Sequence, residues 1–281
     1  MTPRTWDSAW PAPAKLNLFL HVTGRRADGY HLLQTVFRFI DRSDTLRFAP
    51  RADGTIVLAT PTPGVAPDDD LTVRAARLLQ SVTGCRRGAT IALDKNLPLG
   101  GGLGGGSSDA ATVLLALNHL WQTDLTRPQL ERLGLALGAD VPVFIHGRNT
   151  FAEGVGETFT DLELPAAAYL VLHPAVHVPT AAIFGAPELC RDTPALRAAD
   201  WRPGEGRNDL EAVACARFPE VTRHLAWLRT QAPDALMTGS GACVFAAFPD
   251  RAAAEAVLAR RPADMAGWVA AGLDAHPLAV L

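Results

Sequence analysis

Residues 97–118 read LPLGGGLGGGSSDAATVLLALN, and glycine fills every position from 100 to 106 except Leu103. Such a run is usually a flexible linker, because glycine loses much backbone entropy on folding and weakens helices and strands alike. Here the glycines lead almost directly into an apolar segment, Ala110 to Trp121, which we expect to be a buried helix. Free N–H groups and the helix dipole converge at a helix N-terminus, so the stretch predicts a loop that binds phosphate.

The three residues after the glycines, Ser107-Ser108-Asp109, are typical of a helix start. The hydroxyl groups of Ser107 and Ser108 either contact phosphate or Mg²⁺ or simply cap the helix, and their position favours neither reading. The loop is not a Walker P-loop, because no lysine follows its glycines. A match to G-x-G-x-x-G carries no weight, since a run of glycines satisfies many patterns.

Length and composition limit the class of protein. The chain has 281 residues, of which 48% are hydrophobic and 20% charged, and its net charge is −3. These values predict one large globular domain or two smaller ones, with no basic surface for nucleic acid. No apolar run reaches the roughly 18 residues that span a bilayer, and the N-terminal residues lack the apolar core of a secretory signal. We therefore expect a cytoplasmic protein without a nucleic-acid or membrane partner.

Cysteine and lysine are both sparse. The four cysteines include no C-x-x-C pair, so we expect reduced thiols and no zinc or redox motif. Of 26 basic residues only Lys15 and Lys95 are lysines; one begins the first clear strand and the other precedes the glycine loop. A compact ammonium suits some phosphate and hydroxyl contacts better than a planar guanidinium does. The alternative is that these two lysines remain at their positions by random drift.

Hydrophobic periodicity predicts strands and helices in both halves of the chain. The predicted strands are 15–22, 30–40, 44–49, 54–60, 89–95, 150–154, 168–173, 235–248 with a central turn, and 267–274. The predicted helices are 70–82, 110–121, 126–137 with a capping box, 208–231 with an interruption near Pro219, and 250–261. Residues 185–207 show little periodicity and are expected to be a connecting segment. The pattern predicts two α/β or α+β lobes, which we divide as 1–160 and 161–281.

Two further features are candidates for chemistry. Asp140 lies in GADVPVF, where it either caps a helix or accepts a proton from a substrate hydroxyl group. A second glycine turn, TGSGA at 238–242, reads as a hairpin turn when taken alone. Taken together with the first loop, it could approach the same ligand from the second lobe. Lys15, Asp140 and the glycine loop would supply the parts that phosphoryl transfer needs.

Three segments of the chain resemble, in order, the three motifs of the GHMP kinases, which phosphorylate small molecules. They are PAKLNLFL near the N-terminus, LPLGGGLGGGSSDAA in the middle and TGSGACVF near the end. The resemblance implies a two-lobed α+β fold with an N-terminal ATP-binding lobe and a ferredoxin-like C-terminal lobe. The segments AKLNLFLHVTGRRADGYHLLQTVF and LGADVPVF resemble the branch that phosphorylates the 2-hydroxyl of 4-diphosphocytidyl-2-C-methyl-D-erythritol, a step of non-mevalonate isoprenoid precursor synthesis.

The resemblance also implies roles for individual residues. Lys15 would be the catalytic cation and Asp140 the base. Asn17 would bind the methylerythritol end, Tyr30 and Phe184 would stack on the cytosine, His31 would hydrogen-bond it, and Thr180 would lie near the substrate. The ATP phosphates would be wrapped by Pro98, Leu99, Gly100, Gly101, Gly102, Leu103, Gly104, Gly105, Gly106, Ser107 and Ser108. Taken without the family, Phe184 favours a core position and His31 a surface one.

The chain departs from the family in two places. Gly100 and Gly101 stand where alanines are more usual, and no second acidic residue is evident for Mg²⁺, so we name no protein ligand for this metal. ATP and Mg²⁺ are the expected co-substrate and metal, and the expected partner is the small-molecule substrate. The protein would be a monomer or a homodimer. The alternatives are a kinase for another alcohol, a nucleotide-binding module without activity, and a scaffold whose glycines serve helix packing.

Overall fold

A computed structural model describes residues 4–61 and 64–281 of the chain. The strands are β1 (Trp10–Arg25), β2 (His31–Arg51), β3 (Ile56–Leu58), β4 (Gly88–Asp94), β5 (Thr150–Glu153), β6 (Thr158–Asp161), β7 (Ala168–His173), β8 (Leu236–Met237), β9 (Val244–Phe248) and β10 (Ala266–Ala271). The helices are α1 (Leu71–Thr83), α2 (Gly105–Trp121), α3 (Arg127–Leu137), α4 (Val141–His146), α5 (Thr180–Phe184), α6 (Glu211–Arg217), α7 (Pro219–Gln231) and α8 (Arg251–Leu258).

The first lobe is a sheet covered by helices. Its strands run in the order β3-β4-β2-β5-β6, with β1 also paired to β2. Apolar side chains of α1 to α4 pack on this sheet around the fully buried Trp10 and Leu114. The prediction of two strands at 30–40 and 44–49 was wrong, because β2 is continuous. The polar residues 41–44 indicated a break, but β1 pairs with β2 on both sides of them, with a register shift between Pro13 and Ala14.

The second lobe has a four-stranded antiparallel sheet in the order β10-β7-β9-β8. Helices α5, α6 and α7 lie between β7 and β8 in the chain, β8 and β9 are consecutive, and α8 precedes β10. This β-α-β-β-α-β order gives the ferredoxin-like arrangement that was expected. Its core is built around Leu170, Leu228 and Val244 and also contains Leu20 of β1. A further buried cluster, which includes Leu16 and Val171, joins the two lobes.

Helix α2 begins earlier than predicted. Its first residue is Gly105, and Gly104 is the N-cap with a φ of 71°, so the serines lie in the first turn. The prediction that the helix begins at the serines was therefore wrong by a few residues. The capping box of α3 was predicted correctly, since the Thr126 side chain and the Gln129 side chain each meet the other's backbone.

The division after residue 160 remains a proposal: it falls within β6, the last strand of the first sheet, and the second sheet begins with β7 at Ala168. Residues 272–281 return to the first lobe, where Leu273 N donates to Phe39 O and Leu278 joins the core. Segment 185–207 runs beside β1, and Leu20 N donates to Arg207 O at 2.9 Å. Within residues 4–61 and 64–281, no helix combines the length and apolar character needed to cross a membrane.

Candidate active site

A cavity of about 820 Å³ lies where the two lobes meet. Its wall is formed by β1, the start of β2, the glycine loop, the N-terminal end of α4, helix α5 and the second glycine turn. Every residue predicted for the site lines this cavity except Ser108. Elements from both halves of the chain therefore meet at one place, as phosphoryl transfer between two bound molecules requires.

The carbonyl groups of the glycine loop are held by the protein. Gly100 O and Gly101 O accept from Ala242 N and Cys243 N, both at 3.2 Å, and Leu103 O accepts from Lys15 N at 3.0 Å. In the part of the chain that the structure describes, the amide N–H groups of 99–107 find no protein acceptor. Because these residues line the cavity, the loop presents unpaired donors to it, and such a surface binds anions.

The second glycine turn packs directly against the first loop. A Cβ atom on Gly102 would lie 2.1 Å from Thr238 O, and one on Gly239 would lie 3.2 Å from Gly102 Cα. Gly102 also has a φ of 72°, so both the space and the backbone conformation require glycine there. The turn lines the same cavity through Gly239, Ser240 and Gly241. Its approach to the same ligand as the first loop, from the second lobe, stays a prediction.

Lys15 is buried on β1, and its ammonium group is held in a fixed position. Nζ donates to Asn17 Oδ1 at 2.6 Å and to Gly102 O at 3.0 Å, and it lies 5.5 Å from the centre of the Phe37 ring. The aliphatic part of the side chain passes close to Gly104, where an added Cβ atom would meet Lys15 Cε at 3.1 Å. A positive charge is therefore fixed beside the glycine loop.

Asp140 occupies the N-cap position of α4 without capping it. The side chain makes no hydrogen bond to the helix, and its Oδ2 lies 3.3 Å from Lys15 Nζ. The carboxylate is about one-third exposed to the cavity, whereas Lys15 is almost fully buried. The geometry thus gives Asp140 the orientation of a site carboxylate and not that of a capping residue.

Asn17 supports Lys15 from the same strand. Its Oδ1 accepts from Lys15, its Nδ2 donates to Thr35 Oγ1 at 2.9 Å, and its backbone N donates to Thr238 Oγ1 at 3.0 Å. The side chain lines the cavity, so contact with a substrate remains a prediction. What the structure adds is that Asn17 orients the ammonium group.

The two serines after the loop differ in environment. Ser107 lines the cavity, whereas Ser108 is fully buried and its Oγ donates to Pro13 O at 2.7 Å. Ser108 N donates to Gly104 O at 2.8 Å. Both polar groups of Ser108 are used within the fold, so the expectation that its hydroxyl contacts phosphate disagrees with the geometry. The reason is that α2 starts at Gly105, which turns Ser108 toward β1.

A buried charge cluster beside the loop was not foreseen. Lys95 donates to Asp44 and, at 2.8 Å, to Asp109, and it lines the cavity. The two carboxylates outweigh the effect of burial and raise the pKa of Lys95. Burial, together with the charge of Asp44, raises the pKa of Asp109 to about 7, although Lys95 opposes this. The scarcity of lysine singled out Lys95, but nothing in the sequence indicated its two partners.

The residues predicted to bind the cytosine and the rest of the substrate also line the cavity. The rings of His31 and Phe184 are 5.0 Å apart at 36°, and Thr180 Oγ1 is 2.8 Å from Ser240 Oγ. Phe184 is half-buried and not a full core residue. Tyr30 lines the cavity with 62% of its surface exposed, so a stacked ligand would cover it. Burial, followed by the charges of Arg191 and Arg25, lowers the pKa of His31.

Two family models match the chain. Residues 70–148 match the GHMP kinases N terminal domain, and residues 195–267 match the GHMP kinases C terminal model. Together they cover more than half of the chain. The order of the two matches agrees with the order of the two lobes.

Relatives of high identity cover nearly the whole chain. The 4-diphosphocytidyl-2-C-methyl-D-erythritol kinase of Dechloromonas aromatica (strain RCB) is 77% identical over 96% of this chain and 98% of its own length. The kinase of the same name from Thiobacillus denitrificans (strain ATCC 25259 / T1) is 63% identical over 97% of this chain and 98% of its own length.

Solved structures show the same fold. A crystal structure of 4-(cytidine 5'-diphospho)-2C-methyl-D-erythritol kinase matches with a TM-score of 0.77 and 35% identity, over 94% of this chain and 99% of that one. A mevalonate kinase structure matches with a TM-score of 0.70 at 15% identity, over 95% of this chain and 100% of that one, and this likeness concerns the fold alone.

Proposed function

This chain belongs to the GHMP kinase family, and we propose that it transfers the γ-phosphate of ATP to the 2-hydroxyl group of 4-diphosphocytidyl-2-C-methyl-D-erythritol. This reaction is a step in the non-mevalonate synthesis of isoprenoid precursors. The observation that carries the proposal is the Lys15–Asp140 ion pair, which lies in the same cavity as the glycine loop. The names of the relatives supply the identity of the acceptor.

The glycine loop is assigned to the ATP phosphates. Its unpaired N–H groups and the N-terminus of α2 provide fixed donors, which need no rearrangement when negative charge develops on the transferred group. Lys95 places an ammonium group on the same wall, because its Nζ would lie 3.5 Å from a Cβ atom on Gly105, and the carboxylates of Asp44 and Asp109 balance its charge. Phosphoryl transfer depends mainly on such positioning and charge stabilisation.

Asp140 is assigned as the base and Lys15 as the cation. As the 2-hydroxyl oxygen attacks the γ-phosphorus, its proton passes to the Asp140 carboxylate and ADP leaves. Lys15 holds Asp140 in place and balances charge that builds on the transferred phosphoryl group. The hydrogen bonds to Asn17 Oδ1 and Gly102 O hold the Lys15 ammonium group in position for both roles.

Tyr30, His31 and Phe184 are assigned to the cytosine. Two aromatic rings offer stacking surfaces and the imidazole offers a hydrogen bond to the polar edge of the base. We assign Thr180 and Asn17 to contacts with the rest of the substrate. The lining of the cavity includes both Leu71, the first residue of α1, and Tyr30, which precedes β2.

Mg²⁺ is proposed as the counter-ion of ATP. It prefers oxygen ligands and is commonly held by one or two protein groups together with substrate phosphates. Among the lining residues Ser107 offers a hydroxyl oxygen that fits this chemistry, and phosphate and water oxygens would supply the other ligands. When bound, the ion neutralises phosphate charge. We further propose a cytoplasmic location and a monomer or homodimer.

The test is ATP consumption by the purified protein with Mg²⁺. We expect turnover with 4-diphosphocytidyl-2-C-methyl-D-erythritol and none with the same alcohol lacking the CMP moiety. Transfer to the 2-hydroxyl can be read from the phosphorus spectrum of the product. Equal turnover with both acceptors would contradict the assigned base site, and ATP binding without turnover on either would contradict the proposed reaction.

A further inference from the structure

Arg191 lies in segment 185–207, which has little regular structure, and each of the three nitrogens of its guanidinium group donates a hydrogen bond. Nη1 donates to Leu189 O at 3.0 Å, and Nη2 donates to Phe184 O at 2.9 Å and to Ala186 O at 2.6 Å. The third nitrogen, Nε, donates to His31 Nε2 at 3.1 Å. The side chain thus joins the end of α5 to the start of β2 at the edge of the cavity.

The contact with Arg191 determines which nitrogen of His31 carries the proton. A guanidinium group is always protonated and can only donate, so His31 Nε2 must accept. A neutral imidazole has one donor and one acceptor, and its proton therefore resides on Nδ1. Burial and the charges of Arg191 and Arg25 lower the pKa of His31, which favours this neutral form. Across residues 4–61 and 64–281, Nδ1 of His31 has no hydrogen-bond partner.

The hydrogen-bonding group that the fixed imidazole offers is complementary to one pyrimidine base and not to another. His31 lines the cavity beside Phe184, and Arg191 holds both the imidazole and the Phe184 carbonyl group. A cytosine has an acceptor at N3, whereas a uracil has an N–H donor there. An Nδ1–H group is complementary to the first base and opposes the second.

We propose that Arg191 is a positioning residue for base selection: by donating to His31 Nε2 it fixes the Nδ1–H tautomer, which accepts a cytosine substrate and rejects its uridine counterpart. The inference rests on the proposed function, because it takes the base site as assigned above. Arg191 touches the imidazole and not the substrate. Its effect is therefore on specificity and on the tautomer, and not on the phosphoryl-transfer step.

The first test reads the tautomer without any substrate. Nitrogen spectra of the protein labelled with ¹⁵N-histidine distinguish a protonated from an unprotonated ring nitrogen, and a His31→Gln variant identifies the His31 signals among the eight histidines. We expect a protonated Nδ1 and an unprotonated Nε2 at neutral pH. In Arg191→Met the two tautomers should mix. A protonated Nε2 in the unaltered protein would overturn the proposal whether or not the enzyme is active.

The second test compares the cytidine substrate with the same alcohol carrying uridine. We expect Arg191→Met to lower the ratio of their kcat/KM values by ~10-fold or more, the size expected when a mismatched buried donor is relieved. The kcat for the cytidine substrate should change little, while its KM rises. Arg197→Met is the matched control, since Arg197 lies in the same segment with 81% of its side chain exposed.

A purely structural role for Arg191 predicts a different result. Loosening of segment 185–207 would reduce kcat/KM for both substrates by the same factor and leave their ratio unchanged, which would overturn the proposal. Arg191→Lys keeps the charge but lacks the planar fork, so it should restore only part of the ratio. If the unaltered protein phosphorylates neither substrate, the proposed function fails, and the nitrogen spectra still decide the tautomer.

Discussion

Lys15 Nζ lies 3.3 Å from Asp140 Oδ2, although Lys15 is on β1 and Asp140 immediately precedes α4. The same ammonium group donates to the Gly102 carbonyl of the glycine loop. One buried cation therefore connects the glycine loop to the candidate base. The position of Asp140 relative to the glycine loop is therefore fixed by a side chain of the buried core.

Replacing Asp140 by Asn should abolish most activity without unfolding the protein. The amide keeps the size of the carboxylate but cannot take the hydroxyl proton, so kcat should fall by ~10²- to 10⁴-fold. The measurement is steady-state kinetics with a thermal melt alongside. Asp234→Asn, at an exposed turn, is the matched control. Turnover near that of the unaltered protein would remove Asp140 from the role of base.

Replacing Tyr30 by Ala should weaken binding of the acceptor. Tyr30 is 62% exposed, so its loss removes a stacking surface and little of the core. An aromatic pair contributes ~0.5–1.5 kcal/mol beyond burial, which predicts a ~2- to 10-fold rise in the KM for the cytidylylated alcohol. The KM for ATP should be unchanged. A change in the KM for ATP alone would contradict the assignment of Tyr30 to the cytosine.

Replacing Gly102 by Ala should destabilise the protein. The new methyl group would lie 2.1 Å from Thr238 O, and the φ of 72° is strained for alanine. The strain and the overlap together predict a loss of more than about 2 kcal/mol in the free energy of unfolding. Gly106→Ala is the matched stability control, because its nearest neighbour would be Leu71 Cδ1 at 3.6 Å. Equal unfolding free energies for both variants would show that the two glycine segments do not pack as described.

His276 should make stability depend on pH on the acid side. Burial lowers the pKa of His276 from 6.5 to about 3, and the nearby Arg127 and Arg4 charges act in the same direction. The unfolded chain therefore binds one more proton than the folded chain within this window, and stability falls as the pH falls from 6.5 toward 3. The slope from this group is at most about 1.4 kcal/mol per pH unit.

Denaturant unfolding at several pH values measures that slope. Leu278 N donates to His276 Nδ1 at 3.0 Å. The His276→Asn variant keeps a side-chain acceptor for this N–H group but cannot titrate. We expect the variant to be less stable near neutral pH and to show a shallower acid slope. His119→Asn, at an exposed position, is the control. An unchanged slope in His276→Asn would mean that other groups account for the acid dependence.

Much of the fold could be predicted because its signals are local. The alternation in KLNLFLHV, the capping box at Thr126 and Gln129, and the apolar run after the glycines each determine an element through neighbours in the chain. The continuous β2 strand could not be predicted in this way. Asp44 looks like part of a turn, yet it is buried because it accepts N–H groups of Asn96 and Leu97 from another strand's end.

The sequence by itself determined the glycine loop, the motif order and the candidate pair of Lys15 and Asp140. The reason is that backbone freedom and side-chain chemistry depend on the residue type at each position. Only the tertiary structure decided how these groups are supported. Asn17 orients Lys15, Ser108 turns away from the loop, and Arg191 reaches His31 from a segment without periodicity. The contacts of Ser108 with Pro13 and of Arg191 with His31 join residues far apart in the chain, and Asn17 is itself held by Thr35 and Thr238. Their geometry depends on how two sheets and their connecting segments pack.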